Sequence, residues 1–512
     1  MKLSPKFLAL AVAISPVVAQ EASTTGIGGL IWDALTPLKP LVQTDLLQLL
    51  ISDRALFNHA KQFAKFAADE GHRAFGSPGH NATVQYIKRE LEKTGYYDVE
   101  LQTFPYLYSE GSAKFSANGT DYSTGWFTYG PAGDVEKPLV PVDNLGCTLG
   151  DYPAEVSGNI ALIKRGECEF GLKTSLAGAA GAAGAIIYNN AEGDVSGGTL
   201  GQINRPEGPY ITVGSISGAA GEALVADIKN GVEIVGHLKV DAVTEDRWSS
   251  NVIATTKNGD RNNIVFAGGH TDSVPAGPGI NDDGSGTITV LEIALKLPFF
   301  KVKNAVRFGF WTAEEFGLVG SEHYITNLSE EERQKIALYL NFDMVASPNF
   351  GYFVYNGDGT HFPNIPPGPP GSDHIEDTFN NWFAKKKLPS APTEFSGRSD
   401  YGPFLDVGIP AGGLFTGAEG IKTEEQAALF GGEAGVAYDA CYHLACDGLD
   451  NLNREAWLQN SRAAAHSVAT YARSLEGIPR GPRALNARSP SIASLGHEAR
   501  RHQSCGHEIA VL

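Results

Sequence analysis

Basic residues are in deficit in this sequence: 40 lysines and arginines stand against 58 aspartates and glutamates over 512 residues. The imbalance argues against nucleic acid or an anionic membrane as partner, since both are bound largely through clustered positive charge. It suits a protein working in mildly acidic surroundings. Long apolar runs are also lacking, apart from Phe7 to Ala19, which follows Lys2 and Lys6. That run is too short for a comfortable membrane span, and the small residues before Gln20 give residues 1–19 the layout of a secretory signal peptide. The expectation is a protein with no stable membrane anchor, secreted or, alternatively, delivered to a vacuolar lumen. Cysteine is scarce, at five residues. In an oxidising compartment five cysteines suggest two disulfides and one leftover. Closeness in sequence pairs Cys441 with Cys446, and Cys147 with Cys168 bracket one segment of the middle region, which leaves Cys505 alone in the tail.

Three signatures of chemistry are missing as well. No Gly-x-Ser-x-Gly occurs, and Gly397-Arg398-Ser399-Asp400-Tyr401 fails at its last position, which disfavours a serine nucleophile. The run Leu176 to Gly184 lacks the Lys-Ser/Thr ending of a phosphate loop. Its Gly178, Gly181 and Gly184 read instead as the face of a helix packed tightly on a neighbour. In the tail, His497 and His502 sit one residue too far apart for a helical His-Glu-x-x-His zinc motif, so they do not share a helix face.

What is present is long enough for more than one core, either two domains or one domain with a large insert. Residues 20–45 read as an N-terminal strap or prosegment. Leucines and phenylalanines then recur at helical spacing from Thr44 to Glu70, and a second amphipathic helix spans about His80 to Thr94, ended by Gly95. A strand follows over 99–108. From 125 to 245 the texture changes to short apolar strands, at 160–163, 185–188 and 211–213, with few candidate catalytic groups. This stretch is expected to be an inserted domain. After 246 the alternation resumes, with strands at 264–269, 305–311 and 337–343 and helices near 285–297 and 318–328. Residues 46–124 and 246–475 together therefore predict an α/β domain, a mixed, mostly parallel sheet flanked by helices, with functional groups at the carboxyl ends of its strands. Residues 476–512 have no sustained period and read as a disordered tail. Asn81, Asn118 and Asn327 head glycosylation sequons, each a weak signal on its own.

The candidates for chemistry fall where that topology would put them. His270, Asp282, Glu314, Glu315, Asp343 and His443 follow strands or sit in tight loops, and two imidazoles with several carboxylates suit a borderline divalent metal, zinc above all. The set could serve a pair of ions, which requires a bridging carboxylate and terminal ligands on each side. If Glu315 binds metal, Glu314 is left as a general base. Asp283 reads as a turn carboxylate. His59, His72, His237 and His361 read as ordinary polar contacts.

The stretches Gly-Gly-His-Thr-Asp-Ser, Gly-Pro-Gly-Ile-Asn-Asp-Asp-Gly-Ser-Gly, Trp-Thr-Ala-Glu-Glu-Phe-Gly-Leu-Val-Gly-Ser, Tyr-Leu-Asn-Phe-Asp-Met, Gly-Arg-Ser-Asp-Tyr and Cys-Tyr-His resemble the metal-site motifs of metallopeptidase family 28. Within that family the chain is similar to the secreted or vacuolar fungal aminopeptidases. Ile-Ala-Leu-Ile-Lys-Arg-Gly-Glu-Cys-Glu-Phe and Gly-Ala-Ile-Ile-Tyr-Asn-Asn in the middle region resemble the protease-associated domain these enzymes carry. The resemblance covers roughly residues 45–475. It implies a zinc-exopeptidase fold with an inserted protease-associated domain and two zinc ions per chain. By position it assigns His270 and Asp343 to one ion, Glu315 and His443 to the other, and Asp282 as the bridge. It implies further that Asp272 orients the His270 imidazole, that Glu314 is the base, that Tyr442 supports the oxyanion, and that Arg398 lies near the substrate's amino end. The expected substrate is a peptide with a free N-terminus, and the expected state a monomer. A carboxypeptidase of the same clan would need a basic cluster for the terminal carboxylate, which the sequence does not locate. A receptor-like relative without catalysis would have lost ligands, and none is lost here. A relative of the glutaminyl cyclases would use one zinc.

Overall fold

The computed structural model describes residues 39–481, with 192 and 194–196 excepted. The expected signal peptide, residues 20–38 of the expected strap or prosegment and nearly all of the expected tail, Cys505 included, lie outside the described residues. Pro105–Trp248 fold as one compact unit, and the described residues 39–104 and 249–481 as another.

The helical spacing over 44–70 resolves into two helices, α1 (Thr44–Leu50) and α2 (Asp53–Ala67), because Ile51 and Ser52 are extended and the Ser52 hydroxyl accepts Ala55 N, starting a new helix. Helix α3 (Pro78–Lys93) begins on Ser77 with Pro78 in its first turn. Strands β1 (Tyr97–Ala117) and β2 (Val235–Thr256) are long and run past the unit boundaries. Then come β3 (Asp260–His270), α4 (Gly284–Lys296), β4 (Asn304–Trp311), α5 (Val319–Thr326), β5 (Ile336–Phe342), β6 (Phe353–Tyr355), α6 (Ser372–Lys386), β7 (Ala391–Thr393), α7 (Tyr401–Asp406), β8 (Ala411–Phe415), α8 (Glu424–Phe430) and α9 (Arg454–Arg473).

In this unit the strand order is β7-β6-β8-β5-β3-β4-β2. The central strands β4, β3, β5 and β8 run parallel, with antiparallel partners at β2 and β6. The sheet is mixed and mostly parallel. Its register sets His270 beside Trp311 and Phe342 beside Leu414, so adjacent strands end together. Gly269 makes that close packing possible: a Cβ there would lie 2.6 Å from Asp283 Oδ2 and 2.7 Å from Phe342 O.

Successive side chains point to opposite faces. Val265, Ala267, Phe308, Phe310, Leu338 and Leu340 pack with α2, α4 and α9 on one face. Phe266, Trp311 and Tyr339 pack with Tyr324 and Phe404 on the other. The Phe266 ring centroid lies 5.4–5.6 Å from those of Trp311, Tyr324, Tyr339 and Phe404, directly beneath the strand ends. Phe266→Ala should therefore cost ~3–5 kcal/mol in denaturant unfolding. A change within ~0.5 kcal/mol, typical of a surface position, would contradict that placement.

In the other unit, strands Gly133–Pro141, Ile160–Lys164, Gly184–Tyr188 and Val213–Ile216 pair in parallel, between the cores built around Ala161, Ile163 and Ile187 and around Leu162, Ile186 and Ile216. The unit starts at Pro105, ahead of the change of texture at 125, because β1 carries the chain into it. The strand expected at 211–213 instead occupies Val213–Ile216. The glycine run also differs: the helix is Phe170–Ala179, Gly178 packs on the Pro209 carbonyl, which a Cβ would meet at 2.0 Å, and Gly181 turns the chain at φ +81 toward the next strand. Cys147 and Cys168 are joined, with an S–S distance of 2.09 Å. Asn81, Asn118 and Asn327 are exposed.

Candidate metal centre

The carboxyl ends of β3, β4 and β5 bring His270, Glu314, Glu315 and Asp343 to one edge of the sheet. Asp282 arrives from the loop that leads into α4, and His443 from a loop closed by the Cys441–Cys446 disulfide. All are buried except His443, which is largely so. Asp282 lies between the two imidazoles: its Oδ1 is 3.2 Å from His270 Nε2 and its Oδ2 is 3.1 Å from His443 Nε2. On one side, His270 Nε2 also lies 3.7 Å from Asp343 Oδ1 and 3.8 Å from Glu314 Oε2. On the other, His443 Nε2 lies 3.1 Å from Glu315 Oε2.

The electrostatics of these groups call for a cation. Burial pushes the Glu314 carboxyl well above its ordinary range; His270 opposes the rise, while Asp400, Glu315 and Asp343 add to it. Burial alone would lower the His270 and His443 imidazoles, but the surrounding carboxylates raise His270 well above its usual value and His443 to about 11. The acids around them thus favour positive charge on the two imidazoles. A divalent ion with nitrogen and oxygen ligands at ~2.0–2.2 Å sets neighbouring donors ~3.3 Å apart, close to the 3.1–3.2 Å at which Asp282 and Glu315 face the imidazoles. His270, Asp282 and Glu315, and likewise His270, Glu314 and Asp343, present donor atoms all within 4.8 Å of one another. The residues therefore fit a bound metal.

The surrounding groups explain why the candidate ligands stand where they do. Asp283 is a structural carboxylate: it caps α4 through Gly286 N at 2.8 Å and accepts His270 N and Met344 N, each at 3.1 Å. Asp272 uses its carboxylate to accept Glu314 N at 3.2 Å and Glu315 N at 3.4 Å, which aims the two glutamates. Its Oδ1 stands 3.7 Å from His270 Nδ1, and that nitrogen faces the Asp272 carbonyl at 3.2 Å. Arg398 donates to Glu419 at 2.8 Å and to the Tyr442 hydroxyl at 3.1 Å, and the Tyr442 ring stacks on His443 at 3.8 Å.

Several contributors escape a reading of the sequence. Arg73, fully buried, donates to the carbonyls of Thr271, Pro278 and Gly279 and so holds the loop between His270 and Asp282. Ser399 donates to Asp343 Oδ2 at 2.5 Å. His80 lies behind His270, bonded to Thr271 Oγ1 at 2.8 Å and Ser249 Oγ at 3.1 Å. Each is a lone residue whose role depends on contacts far along the chain. Only Ser399, inside Gly-Arg-Ser-Asp-Tyr, carried a signal. Of the remaining histidines, His59 lies 3.5 Å from Glu292 and His237 lies 2.6 Å from Asp134. His361 and Asp358, in one loop, and Glu376 of α6 present donor atoms within 4.8 Å of one another.

Residues 251–468 match Peptidase family M28, and residues 135–224 match the PA domain. The chain is 52% identical over 443 residues to a protein of Aspergillus fumigatus named probable leucine aminopeptidase 2, covering 86% of this chain and 88% of that one. It is 44% identical to leucine aminopeptidase 2 of Trichophyton equinum over the whole of both chains. Among solved structures, an aminopeptidase from Aneurinibacillus sp. strain AM-1 superposes with a TM-score of 0.61 at 29% identity, covering 87% of this chain and 99% of that one. A zinc aminopeptidase from Bacillus subtilis does so with a TM-score of 0.56 at 26% identity, covering 84% and 99%.

Proposed function

The chain belongs to peptidase family M28 and is an aminopeptidase, and on that premise we propose that it releases N-terminal residues from peptides using two zinc ions, outside the cell or in a vacuolar lumen. The observation that carries the reading is Asp282, whose two oxygens face His270 and His443 at 3.2 and 3.1 Å. One carboxylate so placed is what a pair of ions requires as a bridge. His270 and Asp343 would hold one ion, and Glu315 and His443 the other.

Zinc bound there would polarise the scissile carbonyl and lower the pKa of water. The remaining work falls to side chains. Glu314, kept out of the ligand set and aimed through Asp272, accepts the proton of the attacking water at its carboxylate and returns it to the leaving amine. Tyr442, positioned by Arg398, directs its hydroxyl to the oxyanion that develops on the carbonyl. The buried acids around the site attract the substrate's ammonium group, which selects peptides with an unblocked N-terminus.

A leucyl anilide, chosen for the name of the relatives, tests the reading against its N-acetylated form, with and without chelator. Cleavage of the unblocked substrate should exceed that of the blocked one by ~100-fold or more, the scale set by an unpaired buried charge, and should vanish with chelator. Equal cleavage of both would refute an aminopeptidase mechanism.

A further inference from the structure

The two segments that carry Asp282 and His443 lie 161 positions apart (443 − 282), yet the side chains approach to 3.1 Å. One residue ties the Asp282 backbone to the segment of His443. Asp447 accepts Asn281 N on Oδ1 at 2.9 Å and Asp282 N on Oδ2 at 3.0 Å, and its own carbonyl accepts Ile280 N at 3.0 Å. Residues 280–282 are thereby docked on a single aspartate. That aspartate adjoins Cys446, whose disulfide to Cys441 closes the loop holding His443, and its backbone N–H donates to Leu444 at 3.1 Å. The two segments also abut at Gly277, where a Cβ would lie 2.1 Å from the Leu444 carbonyl oxygen.

A second carboxylate braces the same junction without touching Asp282. Asp439 accepts Cys441 N at 2.8 Å and the Asn281 amide at 2.7 Å, and the Asn451 amide spans from it to Asp447 at 2.9–3.0 Å. Both aspartates are 1% exposed. Every partner of either carboxylate is a donor, so an amide in its place would set N–H against N–H.

We propose that Asp447 is a positioning residue for the metal centre: it fixes the bridging carboxylate of Asp282 at ligand distance from His443 by holding the Asp282 backbone to the disulfide loop. The proposal rests on the reading that Asp282 and His443 share an ion. Outer-sphere partners of metal ligands are worth ~10–100-fold in metal affinity. Asp447 differs from an ordinary partner in acting on ligand segments from two distant parts of the chain, so its loss changes the separation of ligands rather than the tilt of one.

The test uses the full-length protein and four forms: wild type, D447N, D439N and H443A. Zinc affinity is measured by competition with a chromogenic chelator, the cobalt-substituted electronic spectrum reports ligand geometry, and thermal melts of the chelator-treated proteins report the fold alone. D439N sees the same donor-for-acceptor conflict, so it matches the stability cost. D447N should lose ~10–100-fold in affinity for one of the ions and shift the cobalt bands, with D439N losing at least several-fold less at a comparable melting temperature. Equal losses in the two variants, or wild-type affinity and spectrum in D447N, overturn the proposal. If H443A keeps full zinc stoichiometry, the underlying reading of the site fails and the proposal with it. If H443A loses an ion while D447N does not, only the role of Asp447 falls.

Discussion

Replacing Glu314 with glutamine should lower turnover by ~10²–10⁴-fold while leaving bound metal and KM near wild type. Glutamine has the shape of glutamate but cannot accept the proton of an attacking water. The substitution leaves the backbone untouched, so Asp272 still accepts Glu314 N and Glu315 N and still aims Glu315 at His443. Glu314 Oε2 lies 3.8 Å from His270 Nε2, farther than the Asp282 oxygen at 3.2 Å. Asp343 Oδ1 lies at nearly the same distance from that nitrogen, 3.7 Å, so the zinc content of the variant is what separates a base from a ligand. Single-turnover assays with zinc determination on the same sample decide the matter: near-normal turnover would remove Glu314 from the role of base, and loss of zinc would make it a ligand.

Asp282→Ala should have the opposite signature. It removes the one carboxylate that lies between both imidazoles, so metal binding should weaken by more than the ~10–100-fold that an outer-sphere partner costs, and hydrolysis should fall with it. The chelator-treated protein should melt below wild type, because alanine leaves two buried imidazoles without the carboxylate that faces both, although the Asp282 N–H that Asp447 accepts belongs to the backbone and survives. Zinc per chain and a thermal melt with chelator separate the two effects. Full zinc content in this variant would show that each ion is held without a bridge.

Much of the peptidase unit was legible because its signals are local. The run Ile264 to Gly269, the alternation of strands with helices, and His270, Glu314, Glu315 and Asp343 each placed directly after a strand all follow from hydrophobic pattern and turn chemistry. The six motifs made the candidate ligands recognisable. Less legible was anything held by a single residue at long range. Arg73 precedes α3 in an undistinguished stretch, yet it organises the loop at 271–279 through three backbone carbonyls. Asp447 and Asp439 flank the Cys-Tyr-His motif without belonging to it. The break at Ser52 and the end of the helix before Gly181 depend on capping and turn geometry, which periodicity blurs.

By itself, the sequence indicated the α/β alternation, the change of texture in the middle of the chain, and the candidate ligand types with their place near strand ends, because these depend on neighbours within a few positions. Only the tertiary structure decided that Asp282 faces both His270 and His443, that Asp272 serves the two glutamate N–H groups, and that Asp283 caps a helix while its neighbour faces the imidazoles. Distances between side chains far apart in the sequence follow from how whole strands register and how loops are tied. Those ties are made by backbone groups, which every residue carries alike.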